Sequence, residues 1–178
     1  MKKILMLCAA LIMLMGSVCS ASTPYFYATD ENSIKAIADD VNTRLPSDCK
    51  LYVYELKSSS HCKALFGNSK SNKFVARTEK YVNCLNSIDI SCSSKEDSDK
   101  FRKIVSATMS TIMHSKWESS GMKQNFEKAF WSTNKDLPYT KTFTANYASD
   151  LLDIVLEYNV SSSLVQNVKI RTKWVKGR

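Results

Sequence analysis

The residues with the clearest potential for chemistry are His114 and Glu118, which stand four positions apart. On a helix, side chains at this spacing lie on the same face. A carboxylate beside a histidine can orient the imidazole as a general base, so this pair is our candidate for the catalytic group of a small secreted hydrolase. The same spacing also gives ordinary surface ion pairs that stabilise helices, and we favour that structural role.

The composition argues against several other kinds of site. The chain has only four glycines and two histidines. A phosphate-binding loop needs clustered glycines, and a zinc site needs closely spaced Cys or His ligands such as a C-x-x-C pair. No serine stands in a G-x-S-x-G setting. We therefore expect no cofactor and no metal, and we lean toward a protein that is not an enzyme.

A basic strand is expected near the C-terminal end of the sequence. Apolar and polar residues alternate over residues 166–175, which predicts a half-buried strand. Lys169, Arg171 and Lys173 fall together on its polar face. This row of cations could bind an acidic protein, an anionic lipid or an anionic glycan. Alternatively, the cations could protect an exposed edge strand from unwanted pairing.

The first 21 residues have the pattern of a cleavable signal peptide. Lys2 and Lys3 precede an apolar run over residues 4–15, and small residues follow near Ala21. That run is shorter than the roughly 20 residues of a membrane-spanning helix, and no later stretch is more suitable. We therefore expect export from a bacterial cell to the periplasm or the medium, with no membrane span. Residues 22–178 should then form one globular domain.

The predicted mature chain contains four cysteines, Cys49, Cys62, Cys84 and Cys92. An even number of cysteines in an exported protein favours disulfides. Four cysteines allow three pairings, which the sequence does not distinguish. We favour Cys49–Cys62 and Cys84–Cys92, because each pair flanks a short polar segment.

Apolar periodicity predicts an α+β fold. Spacings of three and four residues predict helices near residues 34–45, 74–88, 101–117, 126–131 and 147–158. Strands are expected at residues 51–56 and 166–175, and the polar residues 57–72 are expected to form a loop. These elements suggest four or five helices packed on a small antiparallel sheet, with two disulfides.

The function best supported by these patterns is surface binding. The formal net charge of +8 suits a well-solvated surface, and alternatively it could attract an acidic partner. Nucleic acid is not expected as that partner, because no nucleic-acid-binding motif occurs and export would remove most such targets. Our leading hypothesis is an exported, non-enzymatic binding protein, such as an inhibitor, an immunity-type factor or an accessory envelope component. The alternatives are the hydrolase that uses His114 and Glu118, and an adaptor for anionic lipid or glycan through the basic strand.

Overall fold

A computed structural model of the chain describes residues 31–57, 61–67, 70–79, 84–113, 117, 121–132, 136–146, 152–162 and 165–174. Within them lie three α-helices, α1 (Glu31–Thr43), α2 (Ser98–Met113) and α3 (Met122–Phe130). A short 3₁₀ helix spans Ser47–Cys49. The first four strands are β1 (Tyr52–Lys57), β2 (His61–Leu65), β3 (Lys73–Glu79) and β4 (Cys84–Cys92). The last three, which follow α3, are β5 (Tyr139–Asn146), β6 (Leu152–Val160) and β7 (Gln166–Trp174).

All seven strands form one antiparallel sheet in the order β1-β2-β3-β4-β7-β6-β5. Each of the two halves is a run of consecutive neighbours, β1 to β4 and β5 to β7. The halves join where β7 pairs with β4, so β7 lies inside the sheet and β1 and β5 are its edges. The expected small sheet with four or five helices is therefore wrong.

The helices pack on one face of this sheet and bury its apolar side chains. Helix α1 contacts β1, β2 and β3, α2 contacts β4, and α3 contacts β5. Side chains alternate along each strand, so Val168 and Ile170 of β7 are buried while Lys169 and Arg171 are not. We call the side chains on the side of the sheet opposite the helices the open face, because most of them are half-buried or exposed.

Aromatic side chains fill the core between α3 and the β5–β6 half of the sheet. The Phe126 ring is fully buried and lies 4.4–5.6 Å, between ring centres, from Trp117, Phe130, Trp131 and Phe143. Such stacked and edge-on arrangements add to the free energy gained from burial alone. Phe126 therefore joins the end of the helical layer to the sheet.

Two of the expected helices are strands. Residues 74–88 cover most of β3 and the first part of β4. Their apolar residues have a helix-like spacing because the series passes from one strand to the next and crosses a register shift after Arg77. Residues 147–158 include most of β6, where Ile154, Leu156 and Tyr158 are buried at two-residue steps. Val155, which lies on the open face, is apolar as well. Its position after Ile154 fits the three- and four-residue spacing of a helix, so the sequence did not separate that spacing from the two-residue spacing of a strand. Residues 61–65, expected in a loop, form β2.

The expected disulfides are also absent from the described residues. Cys84 and Cys92 begin and end β4. Eight steps along a strand separate their Cα atoms by about 27 Å, whereas a disulfide requires roughly 4.4–6.8 Å. Cys49, Cys62 and Cys92 are buried free thiols. Burial, reinforced by the charge of Asp39, raises the pKa of the Cys62 thiol to about 11.

A buried polar junction fixes the start of α2. The backbone carbonyl of Asp97 accepts a hydrogen bond from the backbone N–H of Phe101 in the first turn of the helix. The Asp97 side chain accepts a hydrogen bond from Asn72 Nδ2 at 2.5 Å. Asn72 Oδ1 accepts one from the backbone N–H of Ser93 at 3.0 Å, and Lys100 Nζ lies 3.4 Å from the Asp97 carboxylate. Gly67, with a φ of +66°, packs directly against that carboxylate. The junction thus ties the β2–β3 connection to α2.

None of the helices within the described residues combines the length and the apolar character that crossing a membrane requires.

Candidate functional site

The structure places two of the predicted binding residues in the middle of the sheet. Lys169 and Arg171 lie on the open face of β7, which pairs with β4 on one side and β6 on the other. Their cations therefore do not protect an edge, and that explanation is wrong. The backbone of Lys173 pairs with that of Asp153 in β6, and its side chain lies outside the described part of the molecule.

The register of the sheet brings a third cation to the same place. Arg77 of β3, Ser87 of β4 and Arg171 of β7 occupy one row across three adjacent strands. In the next row, Asp89 of β4 is opposite Lys169. These side chains surround a shallow cavity of about 660 Å³, which Asn86 and Asn167 also line. We call this cavity and its lining the open-face groove.

Carboxylates hold the three cations in place without balancing them. Asp89 forms an ion pair with Arg77 and lies 4.0 Å from Lys169 Nζ. Glu157 of β6 lies 3.8 Å from Arg171. The groove itself contains three cations and a single carboxylate, so its electrostatic potential is positive.

The spacing of the cations follows from sheet geometry. Lys169 and Arg171 are two residues apart on one strand, which separates their Cα atoms by about 7 Å. Arg77 and Arg171 are two strands apart, which gives about 10 Å between Cα atoms. An extended acidic peptide has the same step of about 7 Å between alternate side chains. The step from Lys169 to Arg171 therefore matches the step between two carboxylates on alternate residues of such a peptide.

The excess of positive charge extends beyond the groove on the described part of the open face. Among the described side chains, this face has three carboxylates, Glu55, Asp89 and Glu157, and six cations, Lys57, Lys63, Lys73, Arg77, Lys169 and Arg171. At the β1 edge, hydrogen bonds from Lys63 and Lys57 lower the pKa of Glu55 to about 2. Each of these carboxylates thus forms an ion pair with a neighbouring cation, and the described side chains of this face have a surplus of positive charge.

Arg77 and Asp89 are the charged groove residues that the sequence analysis did not identify. Arg77 lies in the segment that was expected to be helical, and Asp89 directly follows that segment. A signal for Asp89 was present, because Ser87, Asp89 and Ser91 alternate with the apolar Ile88 and Ile90, which is the period of a half-buried strand.

The predicted catalytic pair, His114 and Glu118, lies outside the described residues. The hydrolase hypothesis therefore stays a prediction. The described histidine, His61, lies on the open face of β2 with its Nε2 atom 3.5 Å from Glu55 Oε1. Within the described residues, no group of three or more His, Cys, Asp or Glu side chains is arranged to hold a metal ion.

Comparison of the chain with protein-family models, with curated proteins and with solved structures finds no match.

Proposed function

We propose that this protein is a binding protein that holds an extended, acidic segment of a partner protein on its open face. The observation that carries the proposal is the convergence of Arg77, Lys169 and Arg171, from separate parts of the sequence, on one groove. As the amino-terminal pattern suggests, the encounter would take place outside the bacterial cytoplasm. The protein would then act as an inhibitor, an immunity-type factor or an accessory component of the envelope.

The position of the groove favours side-chain contacts over strand addition. A ligand that extends a sheet must pair with an edge strand, whereas β4 and β7 already have neighbours on both sides. A partner segment would therefore lie across the face and contact the cations with its side chains. Carboxylates about 7 Å apart match the step from Lys169 to Arg171.

The presence of Asp89 makes the groove selective for a partner that competes with it. A carboxylate of the partner must share Arg77 and Lys169 with Asp89, so a partner with a single carboxylate would gain little binding free energy. A partner with several carboxylates about 7 Å apart would bind more tightly, because each carboxylate would contact a different cation. Replacing Asp89 with Asn keeps the shape of the side chain and removes the competitor, so affinity for an acidic peptide should rise up to about fivefold.

The test uses a fluorescent peptide in which glutamate alternates with serine, followed by anisotropy at low and moderate salt. Reversing two charges, in Lys169→Glu with Arg171→Glu, should weaken binding by roughly five- to thirtyfold. Lys73→Glu is the matched control, because Lys73 is an exposed cation on the same face outside the groove. Binding should also weaken as salt rises. Equal affinities for the double variant and the control would refute the proposal.

Two further probes distinguish the adaptor hypothesis. Phosphatidylglycerol vesicles and polygalacturonate present anionic lipid and anionic glycan to the same groove. If the protein binds either probe more tightly than the peptide, and the double variant loses that binding, the groove would be assigned to lipid or glycan instead. A pull-down from the envelope and culture fluid of the host, with the Lys73→Glu and double variants in parallel, would then seek the natural partner.

The hydrolase remains the second candidate, and its test is separate. A His114→Ala variant that folds normally but loses a hydrolytic activity of the wild type would support it. Full retention of every activity found would remove it.

A further inference from the structure

A second cluster of cations lies on the helical side of the molecule, away from the open face. The three residues that follow α1, one side of α2, and α3 with the residue that follows it enclose a cleft of about 430 Å³. Arg44, Arg102, Lys103 and Lys123 line it, and Glu127 supplies its one carboxylate. The cleft therefore has a net positive charge that is independent of the open-face groove.

Three of these cations have no acidic partner within the described ranges. Among the residues that the structure describes, Arg44, Arg102 and Lys103 form no ion pair. Arg102 is half-buried, and its Nε atom is buried without a hydrogen-bond partner in the described structure. A buried donor without an acceptor costs free energy that a bound anion would offset.

The walls of the cleft are apolar as well as charged. Leu45, Pro46 and Trp131 line it beside the cations, and the guanidinium carbon of Arg102 lies 5.5 Å from the centre of the Trp131 ring. This cation–π contact holds the guanidinium group against the aromatic ring. Ser106 contributes a hydroxyl group from α2.

We propose that this helical cleft is a binding site for a small organic phosphate. Its volume falls within the range of about 300–1,000 Å³ that small-molecule sites have, and it exceeds what a bare phosphate ion would fill. The phosphate oxygens would accept hydrogen bonds from Arg102 and Ser106 and lie between Arg44 and Lys103. The organic part would contact Leu45, Pro46 and the Trp131 ring. Both parts of the site are needed, since guanidinium groups recognise phosphate and apolar walls recognise an organic body.

The test is titration calorimetry of the full chain at low salt with phenyl phosphate as the probe. Inorganic phosphate presents the charge alone, and phenol presents the ring alone. We expect phenyl phosphate to bind more tightly than inorganic phosphate, and phenol not to bind. No binding of phenyl phosphate, or equal binding of phenol, would overturn the proposal.

Variants then locate the site. Arg44→Gln and Lys103→Gln remove exposed cations, so the fold should tolerate them, and each should weaken binding by about two- to fivefold. Lys128→Gln, an exposed cation of α3 outside the cleft, is the matched control and should bind as the wild type does. Loss of binding in Arg171→Gln with full binding in the Arg44 and Lys103 variants would place the anion on the open face and refute this site.

A lipid headgroup carries the same phosphate chemistry as a soluble ligand. Sedimentation with phosphatidylglycerol vesicles therefore accompanies the calorimetry. Vesicle binding that Arg44→Gln and Lys103→Gln abolish, with no binding of phenyl phosphate, would overturn the small-molecule proposal in favour of a membrane surface.

Discussion

Replacing Gly67 with Ala should be far more destabilising than the same replacement at Gly121. Both glycines have a positive φ, of +66° and +69°, which costs an alanine about 1–2 kcal/mol. A Cβ atom at Gly121 would meet only Gln124, at 3.9 Å. A Cβ atom at Gly67 would lie 2.3–2.6 Å from three carboxyl atoms of Asp97, so that carboxylate must move away.

The extra cost at Gly67 follows from what the Asp97 carboxylate does. Its displacement breaks the hydrogen bond from Asn72, a buried interaction with a charged group that contributes about 1.5–3 kcal/mol. We therefore expect Gly67→Ala to lower the free energy of unfolding by about 2.5–5 kcal/mol. Gly121→Ala should lower it by only about 1–2 kcal/mol.

Urea denaturation followed by circular dichroism measures both values. The double variant with Asp97→Ala isolates the steric contribution, because it removes the atoms that the new Cβ would meet. In that background, Gly67→Ala should cost no more than Gly121→Ala does. The reasoning fails if the two glycine replacements cost the same, or if Gly67→Ala costs as much without the Asp97 carboxylate as with it.

Three other predictions follow from burial and pKa. At pH 8 the Cys62 thiol, whose pKa is raised from its ordinary value of 9.0 to about 11, should react with maleimide roughly a hundred times more slowly in the folded than in the unfolded protein. Peptide mapping would measure the two rates, and equal rates would contradict the burial of the thiol. Glu55 should titrate near pH 2, as NMR would measure. Because folding lowers its pKa, Glu55 should contribute its full stabilisation above about pH 4.3, the ordinary pKa of a glutamate, and this contribution should be lost as the pH falls toward 2. In Lys63→Gln the Glu55 midpoint should rise, and an unchanged midpoint would exclude Lys63 as the cause. Phe126→Ala should lower the free energy of unfolding by about 3–5 kcal/mol, and a loss below about 1 kcal/mol would show that its ring is not in the core.

Elements with one clear period were predictable from the sequence. The expected helices near residues 34–45 and 101–117 correspond to α1 and α2, and the expected strand at residues 166–175 corresponds to β7. In α1, Ile37, Ala38 and Val41 recur at helical spacing and are fully buried. In β7, the alternation that identified Lys169 and Arg171 is the alternation that the structure shows. Local periodicity was enough in these segments because the apolar residues of each recur at a single period, although the last two turns of α2 are buried on every side.

The sheet was not predictable in the same way, because its size depends on pairing between distant segments. The helical interpretation of residues 74–88 joined apolar residues from two strands into one stripe, and so removed β3 and β4 from the sheet. Without them, β7 had no neighbour on that side and its cations suggested an edge. Arg77 could join the site only through the register of β3 with β4 and of β4 with β7. Such register is a property of the folded sheet and has no local signal in the sequence.

The insertion of β7 between β4 and β6 also determines when the molecule can finish folding. Asn167 of β7 donates a hydrogen bond to the Ile90 carbonyl of β4 at 3.3 Å, across 77 residues of sequence. Closing so long a loop is slow, and until it closes β4 and β6 each have an unpaired edge that can join another chain. Because β7 joins the two halves of the sheet, synthesis of the chain must reach β7 before the halves can pair. A chain that stops before β7 would leave two half-sheets prone to aggregation, and it would lose Lys169 and Arg171 as well.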